Sequence, residues 1–301
     1  MSTQPSSDYY PLRRIGLVVH PIRDIHETFQ AVRSWSDSHD VEIVQVPVLG
    51  QQQELAPEGE ASGCDVIVAI GGDGTTLAAI RAAAAVERPV LGVACGSLGA
   101  LTGVASEDVL DALERFSRGE WKPYELPGLE ILFGDSEQLT AFNDLALVRG
   151  GEGQARTSIH LDGVLYARLA GDGCVVSTAI GSSAYSLAAG GPLLAPGAAA
   201  FLLTPLPTHG GSCPPLVVPA GGRLELEVRP ASGGVRLEVD GKVAETYELE
   251  KLTIEMRSHA ATIVGFDGQE SLLGGLRRRG IIIDSPRILA EDQRERELDQ
   301  A

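Results

Sequence analysis

The stretch Gly71-Gly72-Asp73-Gly74-Thr75-Thr76-Leu77 constrains the fold of this chain more than any other. It follows Val66-Ile67-Val68-Ala69-Ile70, a short apolar run rich in β-branched residues. It leads into residues 77–86, where alanine dominates. That order predicts a buried strand, a glycine turn and a helix. Three glycines at one turn permit positive φ and let another group approach the backbone closely. Free N–H groups there, beside a helix N-terminus, suit a phosphate. Asp73 is the odd member, because a carboxylate repels phosphate. Next to a phosphate it has a use as the base for a hydroxyl or as a magnesium ligand. A tight turn with an aspartate at a helix start satisfies the same local pattern, so the rest of the chain decides.

Around this turn strands and helices alternate. Residues 14–21 read as a strand, and residues 25–35 as a helix with Ile25, Phe29, Val32 and Trp35 on one face. Residues 41–48 read as a second strand, 50–63 as a polar loop and 89–94 as a fourth strand. The last runs into a second glycine loop, Cys95-Gly96-Ser97-Leu98-Gly99-Ala100-Leu101-Thr102. Ser106 is predicted to cap a helix that has Glu107 and Asp108 in its first turn and stops at Gly119. Alternation of this kind predicts a parallel α/β sheet with ligands at the carboxyl ends of its strands, where both glycine loops fall.

Past Tyr124 the helical period stops. Strand-like runs follow at 129–133, 140–148, 157–161, 164–169, 175–178, 202–205, 216–218, 224–228, 235–239, 252–256 and 261–266. Asp162-Gly163, Gly233-Gly234 and Asp240-Gly241 are hairpin signals between them. This half reads as antiparallel β, in stacked sheets or a sandwich. Residues 269–279 read as a closing helix, residues 291–301 as a charged tail, and residues 1–7 as a polar, disordered start.

Composition excludes several classes. The formal net charge is −17, which disfavours nucleic acid and anionic membranes. Arg277-Arg278-Arg279 is too short a basic cluster to reverse that, and an anionic nucleotide would need a metal or local cations at its site. Cys64, Cys95, Cys174 and Cys213 show no C-x-x-C spacing, so a zinc site is not expected and a reducing cytoplasm is. No apolar run is long enough to cross a bilayer, and no secretory leader is visible. His26 and His39 read as solvated histidines.

The second half holds three unusual stretches. They are Ala141-Phe142-Asn143-Asp144, the hydroxyl- and glycine-rich run over 171–192, and Thr204-Pro205-Leu206-Pro207-Thr208-His209. The middle run sets Ser183, Ala184, Tyr185 and Ser186 side by side. Small hydroxyls with one flat ring suit a ribose and a nucleobase. A glycine-rich turn with a structural tyrosine fits the same residues.

The Gly-Gly-Asp-Gly turn resembles the signature of the superfamily of NAD kinases, lipid kinases and phosphofructokinases. With the three later stretches in the same order, the chain resembles the NAD kinase family over roughly residues 13–280. The resemblance implies a Rossmann-like α/β domain over residues 1–124 and an all-β stacked-sheet domain that binds NAD over 125–268. It also implies a C-terminal helix and tail over 269–301 that packs back on the first domain, and an active site in the interdomain crevice. It implies ATP with Mg²⁺, transfer to the adenosine 2′-hydroxyl of NAD, and a homodimer or homotetramer. Carried over by position, Asp73 is the general base, and Gly71, Gly72, Gly74 and Thr75 cradle the donor phosphates. Asp73 and Gly74 also touch NAD. Asn143 and Asp144 hold the acceptor ribose, and Asp172 faces the nicotinamide end. Ser183, Ala184, Tyr185 and Ser186 line the adenosine pocket with Ala188 at its edge. One more contact falls within 151–156, at Arg156. Protein ligands for the metal stay unassigned.

The chain departs from the family pattern at Asp144 (Glu), Cys95 (Asn), Ala179-Ile180 (Pro-Thr), Lys242 (Gln) and Thr208, which splits a Pro-His pair. These positions cluster on the acceptor side. They keep open a related small-molecule or nucleoside kinase, and a non-catalytic nucleotide sensor, although an intact Asp73 speaks against the sensor. No Walker lysine motif or G-x-G-x-x-G is present, which argues against P-loop chemistry and against hydride transfer.

Overall fold

Short β-branched runs and amphipathic helices build the first half of the chain, as a computed structural model shows; it describes residues 12–133, 137–229, 234–244 and 249–299. The elements there are β1 (Arg14–Val19), α1 (His26–Ser38), β2 (Glu42–Gln45), β3 (Val66–Gly71), α2 (Asp73–Ala84), β4 (Val90–Ala94), β5 (Val104–Ala105) and α3 (Val109–Ser117). The strand order is β2-β1-β3-β4, and β1 runs parallel to both β2 and β3. Every residue of β3 and β4 is buried, as expected of parallel strands covered on both faces. Phe29, Val32 and Trp35 of α1 and Val109, Ala112 and Leu113 of α3 join these strands in one core. Each such large side chain contributes about 1.5–3 kcal/mol by leaving water.

Three boundaries differ from the sequence reading. β2 ends at Gln45, short of Val48, because Pro47 has no N–H to donate and the chain turns away. α2 starts at Asp73 rather than at Leu77, so the carboxylate belongs to the helix's first turn. Ser106 does not cap α3. It opens a short 3₁₀ turn without a side-chain cap, and its hydroxyl donates to Glu107 instead. The predicted stop at Gly119 holds, at φ +70°.

The remaining elements are β6 (Lys122–Phe133), β7 (Glu137–Ala141), β8 (Asp144–Arg149), β9 (Ala155–Leu161), β10 (Val164–Gly171), β11 (Gly173–Ser177), α4 (Tyr185–Ala188), β12 (Ala200–Pro205), β13 (Leu216–Pro219), β14 (Leu224–Arg229), β15 (Val235–Val239), β16 (Lys242–Val243), β17 (Lys251–Gly265), α5 (Leu272–Arg278) and α6 (Pro286–Asp299). One antiparallel sheet has the order β13-β12-β11-β8-β15-β16. A second set has the order β10-β9-β14-β17, with β6 beside β17 and β7 beside β6. Leu145, Leu147, Val176 and Phe201 of the first pack with Ile131, Ile159, Leu226 and Ile254 of the second, so the sheets are stacked face to face.

Here too the sequence reading needs correction. The predicted strand over 140–148 is two strands, because the chain changes sheets at Phe142-Asn143. The runs at 252–256 and 261–266 form the single long strand β17. Asp162-Gly163 and Asp240-Gly241 take positive φ in both positions, as two-residue hairpins require. β14 and β15 lie in different sheets, so the chain between them is no hairpin; Gly233 itself lies outside the described residues. Residues 1–7 and 300–301 lie outside them too.

Contacts group the chain into two units. One holds Met1–Ala79, Leu91–Lys122 and Val264–Ala301, the other Ile80–Val90 and Pro123–Ile263. Among the described residues no helix is long and apolar enough to cross a membrane.

Candidate functional site

In the first unit, β3 delivers Gly71 to the sheet's carboxyl edge and α2 begins directly after Gly72. A side chain at Gly71 would overlap Thr75, whereas Gly72 and Gly74 face open space. None of the three takes the positive φ that glycine permits. Their use is bareness: the first N–H groups of a helix lack intrahelical acceptors, and here no side chain covers them. Left-handed backbone occurs instead in the second glycine loop, at Gly96 with φ +127°.

Asp73 joins the two glycine loops. Its Oδ2 accepts the N–H of Ala100 and its Oδ1 the N–H of Leu101, both at 2.8 Å. Any side chain at Gly99 would collide with this carboxylate, so glycine is required there. The Gly99 N–H donates to Thr102 Oγ1 at 2.6 Å, which fixes the loop. Two of the roughly four acceptor positions of the carboxylate remain open. The side chain is 34 % exposed, so a ligand can reach it, and Arg279 Nη1 stands 3.8 Å from Oδ2.

The sequence reading missed Arg279, because three adjacent arginines look alike in a sequence. In the structure they part. Arg277 pairs with Asp284 at 2.5 Å, Arg278 pairs with Glu270 and donates to Leu98 C=O, and only Arg279 faces Asp73.

In the second unit, Asn143 and Asp144 sit where the chain changes sheets. That turn is held by Asp240, whose side chain is 0 % exposed. Its Oδ1 accepts the N–H groups of Phe142, Asn143 and Asp144 at 3.0, 2.6 and 3.1 Å. Arg81 Nη2 neutralises it at 2.9 Å. From the other side the Thr178 hydroxyl donates to Phe142 C=O at 2.7 Å, and the Thr178 N–H to Asn143 C=O at 2.9 Å. Gly181 lies so close to Asn143 C=O that no side chain fits. Asp144 is buried, and its carboxyl is pushed up to about 6, first by burial and then by the neighbouring Asp240 and Glu238 carboxylates.

The run over 177–191 is ordered largely by its own hydroxyls. Ser182 donates to Ala179 C=O and Ser183 to Ile180 C=O. Ser186 is fully buried and shares a 2.6 Å hydrogen bond with Thr204, so its hydroxyl ties α4 to β12. Tyr185 is 39 % exposed, and Ala184 and Ala188 are exposed beside it.

Two predicted contacts lie apart from Asn143 and Asp144. Asp172 is ion-paired with Arg149 at 2.6 Å. It precedes β11, whose far end, Ser177, stands opposite Asp144. At about 3.3 Å per residue that places Asp172 about 16 Å along the strand from the Asp144 position. Arg156 points into a cavity of about 650 Å³ whose walls include none of Asn143, Asp144, Asp172 or residues 183–188.

A bare helix start with a reachable carboxylate, and an Asn143-Asp144 turn held by a buried carboxylate in a β-rich unit, define a nucleotide-handling phosphotransferase. The ATP-NAD kinase N-terminal domain matches residues 17–121, and the ATP-NAD kinase C-terminal domain matches residues 142–253. The NAD kinase of Chlorobium phaeovibrioides is 30% identical over 260 residues, covering 83% of this chain and 92% of its own. That of Moorella thermoacetica is 31% identical over 240 residues, covering 77% of each. The crystal structure of yeast NADH kinase complexed with NADH shares the fold, at TM-score 0.77 and 22% identity over 94% of each chain. The chain belongs to the ATP-NAD kinase family.

Proposed function

We propose that this chain transfers the terminal phosphoryl group of ATP to the adenosine 2′-hydroxyl of NAD, giving NADP and ADP, with Asp73 as proton acceptor. The observation that carries the mechanism is the reachable Asp73 carboxylate in the first turn of a helix whose glycines leave the backbone bare. The bond from the terminal phosphorus to the bridging oxygen of ADP breaks as the bond to the ribose oxygen forms. The ribose proton passes to Asp73. Such transfer depends on positioning and charge neutralisation. The amides at Gly72, Gly74 and Thr75 meet the donor phosphates, and Arg279 supplies the local cation that so acidic a chain needs.

Magnesium enters as part of the substrate MgATP. Kinases hold it mainly through phosphates and water with one or two carboxylates.

On the acceptor side Asn143 and Asp144 take the ribose hydroxyls. Tyr185 offers its exposed ring to adenine, with Ala184, Ser183 and Ala188 around it and Ser186 fixing α4 from below. Asp172 meets the nicotinamide end. Replacing Tyr185 by Ala is expected to weaken NAD binding by roughly 1–3 kcal/mol, as for other base–aromatic stacks. The KM for ATP should move much less. Equal shifts for both substrates would make Tyr185 structural.

Asp144 gives a pH signature. Its carboxyl titrates at about 6. Below that pH it is protonated and loses its charge-assisted bonds to the ribose. The KM for NAD is therefore expected to rise as pH falls through about 6. A KM that stays flat between about pH 5 and about pH 8 contradicts the assignment.

Four free cysteines, two of them buried, fit a reducing cytoplasm, and a homodimer or homotetramer is the assembly we assign. Turnover of the full chain with MgATP and a panel of NAD, NADH and nucleosides, read by an NADP-coupled assay, tests the function. NADP formation from NAD is expected. Phosphorylation of a nucleoside alone makes the chain a kinase of altered acceptor, and binding without turnover makes it a sensor.

A further inference from the structure

The cavity that holds Arg156 also gathers two further arginines, Arg168 and Arg229, to which no role has been given. Its floor is the outer face of β10, β9 and β14. In the strand register Arg156 of β9 stands directly opposite Arg229 of β14. Arg168 of β10 stands opposite Ser158, two residues further along the same face. Like charges placed opposite each other across a sheet are destabilising unless something neutralises them. Elsewhere this chain neutralises its arginines, as at Arg81, Arg149, Arg236, Arg277 and Arg278. Among the described residues none of Arg156, Arg168 and Arg229 has an ion-pair partner. One carboxylate, Glu227, also lines the cavity, which leaves a net excess of two positive charges before His209 is counted. The chain as a whole carries a net charge of −17, so this excess runs against its overall sign.

The loop from Thr208 to Cys213 lines another side of the cavity. It is pinned to β10 where the His209 N–H donates to Ala170 C=O at 2.9 Å. A second pin is the Tyr166 hydroxyl, which donates to Pro214 C=O at 2.7 Å. That loop adds the hydroxyl residues Thr208 and Ser212 and two glycines in left-handed conformation, Gly210 and Gly211, to the lining. At about 650 Å³ the volume lies within the range of small-molecule sites. Guanidinium groups match phosphate oxygens in bidentate fashion.

We propose that this cavity binds a small molecule through a diphosphate or longer polyphosphate group, with Arg156, Arg168 and Arg229 as its cations. The proposal goes beyond the kinase reading and does not depend on it, because binding is measured without turnover. Two sources share this chemistry: the diphosphate of a dinucleotide substrate, and a free polyphosphate or nucleotide acting as an effector.

The test uses inorganic tripolyphosphate as the probe. The full chain is titrated calorimetrically with its donor site saturated by a non-hydrolysable MgATP analogue. Wild type is expected to bind tripolyphosphate with an affinity that falls as salt is raised. The Arg168→Ala/Arg229→Ala double variant should bind at least about 10-fold more weakly, as for two lost charge-assisted contacts. Arg168→Lys/Arg229→Lys, which keeps the charges, should bind at an intermediate level. Equal binding in wild type and the double-alanine variant overturns the proposal, as does no binding in wild type. Melting temperatures near wild type confirm that the exposed substitutions leave the fold intact. Kinetics then separate the sources. A raised KM for NAD in the double-alanine variant identifies the dinucleotide's diphosphate. Unchanged NAD kinetics with a lost response to added tripolyphosphate identifies an effector. Failure of NADP formation in wild type would sink the kinase reading and leave the binding result standing.

Discussion

Replacing Asp73 by Asn is expected to lower kcat by at least about 10²-fold, the low end for loss of a general base. The structure adds a second consequence. The carboxylate accepts the N–H groups of both Ala100 and Leu101. An asparagine can accept only one of them and turns an N–H₂ toward the other. Losing a hydrogen bond to a charged group costs about 1.5–3 kcal/mol, so the variant should also melt earlier. A control separates the two effects. Thr102→Val removes the acceptor of the Gly99 N–H and loosens the same loop without touching the carboxylate. It should lower the melting temperature and keep kcat within about 10-fold of wild type, a smaller loss than that of a missing base. If Thr102→Val matches the Asp73 variant in kcat, the carboxylate acts by holding the loop and not as a base.

Asp240→Asn is expected to have an effect of similar size on the acceptor side. Removing the charge leaves Arg81 without its buried partner and weakens three N–H contacts to Phe142, Asn143 and Asp144. Breaking a buried pair of this kind costs about 3–5 kcal/mol. If about half of that falls on the bound state, kcat/KM for NAD drops about 10- to 70-fold, while the KM for ATP changes little. A pH readout separates positioning from simple loss of stability. Asp240 is one of the charges that push the Asp144 carboxyl up. Without it that carboxyl titrates lower, so the rise in KM for NAD on acidification should move to a lower pH. A variant that melts earlier yet keeps both KM for NAD and its pH profile would make Asp240 structural only.

Local chemistry made the glycine turn legible in the sequence, because Gly71, Gly72, Asp73 and Gly74 follow a β-branched run and precede alanines. The hairpins at Asp162-Gly163 and Asp240-Gly241 were legible for the same reason: few other residues accept positive φ twice in a row. What stayed hidden depends on distance along the chain. Arg81 and Asp240 are 159 positions apart, and no periodicity ties them. Asp240 read as a hairpin residue, which it is, while its carboxylate faces inward to the Asn143 turn. The change of sheet at Phe142-Asn143 was hidden because residues 140–148 are apolar enough to read as one strand. The start of α2 was misplaced because a helix N-terminus of glycines carries no propensity signal. Hydroxyl-rich runs do not reveal which hydroxyls the fold consumes, and the bond between Ser186 and Thr204 was hidden for that reason. Asp144 likewise could not be read as buried from the sequence: its N–H donates to Asp240 and its carboxyl is buried.

The account is tested most directly by following the label from ATP. The full chain is incubated with γ-labelled ATP, Mg²⁺ and NAD, and the products are separated by chromatography and mass. The predicted result is label in a product with the mass of NADP that an NADP-specific dehydrogenase accepts. One such molecule should form for each ADP, and the rate should fall at least about 10²-fold in Asp73→Asn. Label appearing as inorganic phosphate, or on another acceptor while NAD is left unchanged, would contradict it.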